Sequence, residues 1–165
     1  MKHWFMAGSH PNDYEQGSDS AVTYHGKSSG YLKAGVAQPE GFGTLMQMFK
    51  ADQYRNKRMR FSAAVKSDGV ESWAGLWMRI DGPESEALGF DNMQNRPIRG
   101  TNDWQEYEII LQVPQESVHI AFGILLSGKG QLWLSDVHFE EVAAAVPVTS
   151  VQYPDQPGNL DFTEE

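Results

Sequence analysis

The side chains best suited to chemistry lie in the run Trp73-Ala74-Gly75-Leu76-Trp77-Met78-Arg79-Ile80. Successive side chains of a strand point to opposite faces, and Leu76, Met78 and Ile80 suffice as a core face. That leaves Trp73, Gly75, Trp77 and Arg79 on the other. An indole and a guanidinium two residues apart, beside a glycine that leaves room, offer a stacking surface and a hydrogen-bonding fork. The same pattern also fits a plain strand in which Trp77 fills the core and Arg79 carries its charge out to water. Further along, Phe90-Asp91-Asn92-Met93-Gln94-Asn95-Arg96-Pro97 places Asn92 and Gln94 on one face and Asp91 on the other. Amides both donate and accept, so they read ligands well, although a polar run of this kind is equally a solvated turn. In Thr44-Leu45-Met46-Gln47-Met48-Phe49 the two methionines share a face, and Met both lines adaptable pockets and fills cores.

Taken together, these residues predict an open hollow that binds a small molecule or carbohydrate without transforming it. Trp77 and Arg79 form its floor, with Trp73 close by. Asn92 and Gln94 are its polar readers, flanked by Asp91. Met46, Met48 and Trp4 are its apolar walls, and His10, in the polar loop Gly8–Glu15, stands at its mouth. An enzyme is the alternative reading: His10 or Asp91 would transfer a proton in the same hollow, for an isomerisation, cyclisation or hydrolysis. A third reading is a protein-interaction partner of a transcription regulator, using a sheet edge or the acidic C-terminal segment. Catalytic motifs are missing. The glycines of EGFG and SGKG sit in turns, so there is no phosphate cradle, and no G-x-S-x-G elbow occurs. The five His residues form no close pair of the metal-ligating kind.

The elements that must position these groups are strands. Period-two alternation runs through Lys57–Lys66, Trp104–Val113 and His119–Leu126, interrupted by turn residues. Ser67-Asp68-Gly69 is expected to separate a strand at 58–66 from one at 73–80, and Gly128-Lys129-Gly130 to close a hairpin. The remaining strands are expected near 2–6, 21–25, 29–34, 43–50, 87–92, 105–112, 118–126 and 131–141. No long window has helical periodicity. The fold class is therefore all-β, an antiparallel β-sandwich or barrel. Residues 1–142 form the domain; residues 143–165, with three Pro, four acidic residues and no Lys or Arg, read as a flexible acidic tail.

The 165 residues are one domain's length. A formal charge of −9 argues against nucleic-acid binding by this chain alone, despite Arg55, Lys57, Arg58 and Arg60 falling close together. The absence of Cys excludes disulfides, thiolate zinc and Cys nucleophiles. No apolar run is long enough for a membrane helix, and MKHWFMAGSH lacks the apolar core of a secretory signal, so no membrane association and a cytoplasmic location are expected. The oligomeric state is not encoded in any feature of this kind.

GTNDWQEYEIILQVP, SVHIAFGILLSGKGQLWLSDVHFEEV and SSGYLKA resemble jelly-roll carbohydrate-binding modules and the related galactose-binding-like sandwiches. Adding AGSHPNDYEQG, the stretch from Phe42 to Ser67, WAGLWMRIDG and FDNMQNRPI, the chain is similar to the presumed effector-sensing C-terminal part of some bacterial helix-turn-helix (AraC-type) regulators. The resemblance spans roughly residues 3–142. It implies jelly-roll topology, which sharpens the all-β reading, and a ligand site on a concave sheet or its edge loops. No helix-turn-helix motif is read before Trp4, so regulation is expected to need a separate partner. Related modules often hold a structural calcium between their first and last strands. Carried onto this chain, that implies Asp136 with Glu15 or Asp19; no other cofactor is implied.

Overall fold

The computed structural model describes residues 1–165. It consists of nine antiparallel strands: β1 (Phe5–Gly8), β2 (Tyr14–Tyr24), β3 (Lys27–Ala34), β4 (Phe42–Lys50), β5 (Arg58–Asp81), β6 (Ala87–Asp91), β7 (Ile98–Gln112), β8 (His119–Ser127) and β9 (Gln131–Val142), with one 3₁₀ turn at Pro11–Asp13. The pairing order is β1-β4-β8-β5-β9-β3-β2, with β6 and β7 also on β5. The 24 residues of β5 serve both layers of an antiparallel jelly-roll sandwich. Their second half pairs with β8 and β6, and their first half with β7 and β9.

Strand β5 corrects the sequence reading. Ser67-Asp68-Gly69 does not separate two strands, since β5 runs unbroken through it. Gly69 takes φ +62° and the β5–β7 register shifts between Val65, Ser67 and Val70, so the strand bends through bulges and carries on into the other layer. Bulges bend a strand without ending it, and strands that cross between packed sheets commonly do so this way. Strand β7 likewise begins at Ile98, ahead of the expected 105, because Ile98, Gly100 and Asn102 pair with the bent part of β5.

The core lies between the layers. Met59, Phe61, Ala63 and Val65 of β5 meet Leu76, Met78 and Ile80 of the same strand after its bend, with Ile120, Phe122, Ile124 and Leu126 of β8. The Phe61 and Phe122 rings stack across the gap at 4.2 Å and 7°. The alternation of β5 and β8 thus commits one face of each to the interior and frees the other.

Beyond Val142 the chain makes no strand, yet it stays attached as far as Thr149. Arg58 Nη1 donates to the carbonyls of Ala144 (2.8 Å) and Val146 (2.6 Å). Thr149 N–H donates to the Ile110 carbonyl at 3.0 Å, and Ile110 N–H donates to Thr149 Oγ1 at 2.9 Å. Ile110, whose side chain alternates with the core-facing Ile109 and Leu111, is only 3 % exposed. Residues 151–165 are exposed throughout.

Candidate ligand-binding cleft

A cleft of about 430 Å³ opens on the outer face of the β1-β4-β8-β5-β6 layer. Cross-strand register sets its rows. Phe42 of β4 and Trp73 of β5 flank Ser127 of β8; Thr44 and Gly75 flank Leu125; Met46 and Trp77 flank Gly123. Ala7 and Gly8 of β1 form one wall, beside Thr44 and Gly43, and Phe90, opposite Arg79 on β6, forms the other with Asn92.

Three features shape the floor. A Cβ at Gly123 would stand 2.2 Å from the Leu45 carbonyl oxygen, so only Gly lets β4 and β8 close under the indole of Trp77. A Cβ at Gly75 would lie 2.9 Å from the Asn92 carbonyl oxygen, and its absence lets the segment after β6 fold over the strand. That segment is tied down locally: Met93 has φ +61°, its side chain is buried, and its sulfur accepts the Leu76 N–H at 3.3 Å. The Trp77 ring is fixed by its own nitrogen. Nε1–H donates to Thr44 Oγ1 at 2.7 Å, and Thr44 Oγ1–H donates to the Ile124 carbonyl at 2.9 Å.

Trp77 is only 6 % exposed, but it belongs to a small cluster with Met46, Ala121 and Leu125, apart from the main core. The buried indole therefore paves the cleft and does not fill the interior. The Arg79 guanidinium carbon lies 5.9 Å from the centroid of that ring, at cation–π range. Arg79 Nε and Nη2 donate to the Asp81 carboxylate at 2.7 and 3.2 Å, which holds the fork in place and leaves Nη1 uncommitted. Asn92 Oδ1 accepts the Gln94 N–H at 3.0 Å, so its amide nitrogen remains available.

Of the residues singled out in the sequence, Trp73, Trp77, Arg79, Asn92 and Met46 are brought together here. The others are placed elsewhere. Met48 shares Met46's face of β4 and Arg79's row, across Ala121, but does not line the cleft and is 44 % exposed. Trp4 turns to the sandwich interior, 6.0 Å from the Phe122 ring. Gln94 is exposed on the turn. His10 contacts Ser9 at 3.0 Å and Glu40 at 3.6 Å, outside the cleft. Asp91 points inward because it pairs with Met78, a core position. Its carboxylate takes both Arg96 Nη1 (3.2 Å) and Nη2 (2.6 Å), the Thr149 hydroxyl (2.6 Å) and the Met93 N–H (3.0 Å). Burial alone would raise the Asp91 pKa, but the hydrogen bonds from Arg96, Thr149 and Met93 outweigh it and hold it below the usual carboxylate range. Neither proton-transfer candidate, His10 or Asp91, is in the cleft.

Sequence reasoning missed Phe42, Thr44, Phe90, Leu125 and Ser127. The signal was present: Phe42 and Thr44 share Met46's parity on β4, Leu125 and Ser127 alternate with the core positions Ile124 and Leu126, and Phe90 is two residues from Asn92.

The expected calcium ligands do not converge, and no group of three or more His, Asp or Glu side chains has metal-binding geometry. Glu15 pairs with Lys33 at 3.5 Å. Asp19 is lowered in pKa by the Val22 and Ala21 N–H groups and by Trp133 Nε1. Asp136 is lowered chiefly by its hydrogen bond from Lys27, then by His138. Each carboxylate already has its donors, and a cation would have to displace them.

The architecture is that of the carbohydrate-binding-module jelly rolls. The chain superposes on the xylan-binding CBM22-1 domain of Paenibacillus barcinonensis Xyn10C with a TM-score of 0.61 at 15% identity, over 86% of this chain and 87% of that one. It superposes on the enzymatically active domain of bacteriophage CBA120 tailspike protein 4 with a TM-score of 0.65 at 11% identity, over 86% of this chain and 20% of that one. No family model matches the sequence. Along its whole length the chain is 49% identical, over 170 residues, to YbfP of Bacillus subtilis (strain 168), an uncharacterized HTH-type transcriptional regulator. It spans 58% of that relative's length.

Proposed function

We propose that this chain is a non-catalytic module that binds a small organic ligand or carbohydrate in the cleft over Trp77, and that it serves as the ligand-sensing part of a regulator. One observation carries the reading. The Trp73–Arg79 stretch devotes one face wholly to the core and spends two indoles and a guanidinium on the other, where they meet over an open hollow. Aromatic floors with a few convergent polar groups are the usual make-up of small-molecule sites, and 430 Å³ is within their usual size. The similarity to an HTH-type regulator supports a sensing role, and the xylan-binding neighbour's fold keeps carbohydrates among the candidates. A regulator's module would work in the cytoplasm, with DNA contact made by another segment or chain.

Titrating a panel of sugars and small organic acids while following Trp fluorescence tests this. Binding is expected for at least one member and is expected to fall about tenfold or more in Trp73→Ala, a half-exposed position whose loss the fold should tolerate. Unchanged binding in a folded Trp73→Ala protein would remove the cleft as the site.

A further inference from the structure

Resting on that reading of the cleft, we infer that its ligand class is an aromatic carboxylate: a flat apolar body with an anionic oxygen head at one end, and not a bare sugar. Most polar side-chain atoms of the cleft are already engaged within the protein. Thr44 Oγ1 accepts from Trp77 Nε1 and gives its hydrogen to the Ile124 carbonyl, so it has nothing left to donate and one lone pair to spare. Ser127 Oγ gives its hydrogen to the Gly41 carbonyl at 3.2 Å and can only accept. Asn92 Oδ1 accepts the Gln94 N–H, which directs it toward its own turn and keeps one lone pair spare. The uncommitted donors are then Arg79 Nη1 with the second hydrogen of Nη2, and the Asn92 amide nitrogen. No Asp or Glu side chain lines the cleft.

That inventory is lopsided. The free hydrogens on Arg79 and Asn92 all donate, and Arg79 carries the one charge among the lining side chains. The side-chain acceptors are single spare lone pairs on Thr44 and Asn92 and the Ser127 hydroxyl, three rows from Arg79 on β8. A pyranose carries hydroxyls around its rim, each of which needs both a donor and an acceptor partner. Laid on Met46, Leu125 and Trp77, it would turn several of them toward surface that offers neither, and an unmet polar group in such a place weakens binding. A carboxylate needs only donors, and the Nη1/Nη2 edge of Arg79 presents two in a planar fork. Asp81 holds that fork from its Nε side, so the edge toward the cleft is pre-positioned. Asn92 supplies a further donor next to it. The body of such a ligand would lie between Trp73 and Trp77, walled by Phe42 and Phe90, where offset stacking rewards an aromatic ring.

Three probes separate the possibilities in calorimetric titration of the full chain: 3-phenylpropionate, 3-phenyl-1-propanol and xylotriose. The acid is expected to bind best, about tenfold or more ahead of the alcohol, since it alone can take charge-assisted bonds from Arg79. Arg79→Gln should erase that preference. Because Arg79→Gln leaves Asp81 without its partner, Asn92→Ser is the second variant. Its hydroxyl keeps an acceptor for Gln94 but removes the amide donor, and it should narrow the preference in a protein whose fold is unchanged. Acid and alcohol binding equally, or variants that leave the acid's advantage intact, would overturn the ligand class. So would xylotriose binding as well as the acid while Trp73→Ala weakens it, a result that would leave the cleft standing as a sugar site. If none of the probes binds, both the class and the cleft reading fall.

Discussion

Trp77 is buried to 6 % exposure yet is not part of the main core, and the difference rests on single atoms around it. The Thr44 hydroxyl accepts the indole N–H inside the layer. Thr44→Val keeps the shape and removes that acceptor, leaving a buried donor unpaired at a cost of about 1–3 kcal/mol, measurable by urea unfolding. Gly123→Ala should cost more than an ordinary Gly→Ala change in a strand, because its Cβ would collide with backbone of β4, not with a side chain that can turn away. A urea midpoint equal to that of the unaltered protein would show that β4 and β8 are less tightly closed than described. At this scale the sequence was informative where parity alone decides. Trp73, Trp77 and Arg79 follow from alternation against Leu76, Met78 and Ile80. Asp91's inward face also follows from alternation against Phe90 and Asn92, which sets it apart from the cleft. Gln94 did not follow, since its placement depends on the left-handed turn at Met93, which no local pattern announces.

Two elements hold the cleft's polar side in place, and both were hidden in the sequence. Strand β5 runs 24 residues through a segment with the composition of a turn, because Gly69 and the neighbouring bulges bend it while pairing with β7 continues. The stretch after Val142 has no alternation to mark it, yet Thr149 bonds both Ile110 and Asp91, and Asp91 anchors the turn that presents Asn92. Ending the chain after Ser150 should leave the melting temperature unchanged, whereas ending it after Val142 should lower it and weaken ligand binding as well. Equal melting temperatures for the two truncations would show that the 143–150 segment adds nothing to the fold. Asp91 also gives the element a pH signature. Its folded pKa lies below the unfolded value of about 3.9, so its contribution to stability is complete above that value and is lost as pH falls through the folded pKa. Urea unfolding across pH 2–6, a window set by these values, should show a rise in stability through the lower part of the range that Asp91→Asn lacks. Parallel pH profiles for the two proteins would contradict it.

For the molecule as a whole, the all-β sandwich was legible because alternation and turn chemistry recur along most of the chain. The jelly-roll topology came from the resemblance to carbohydrate-binding modules, and five of the residues proposed for the site do meet in one cleft. The opposite layer also has a groove, polar and lined by Arg60, Glu106, Glu108, Asp136, His138 and Glu140, so the central claim is a choice between two faces. The five tryptophans allow a direct decision. Trp73 and Trp77 lie at the cleft, Trp104 and Trp133 lie on β7 and β9 of the other layer, and Trp4 lies against the core. Proton–nitrogen NMR spectra of the indole Nε1–H groups, recorded during separate titrations with 3-phenylpropionate and xylotriose, should show Trp73 and Trp77 moving with at least one of the two while the remaining three stay put. Shifts confined to Trp104 and Trp133, or no shift with either compound, would contradict the account.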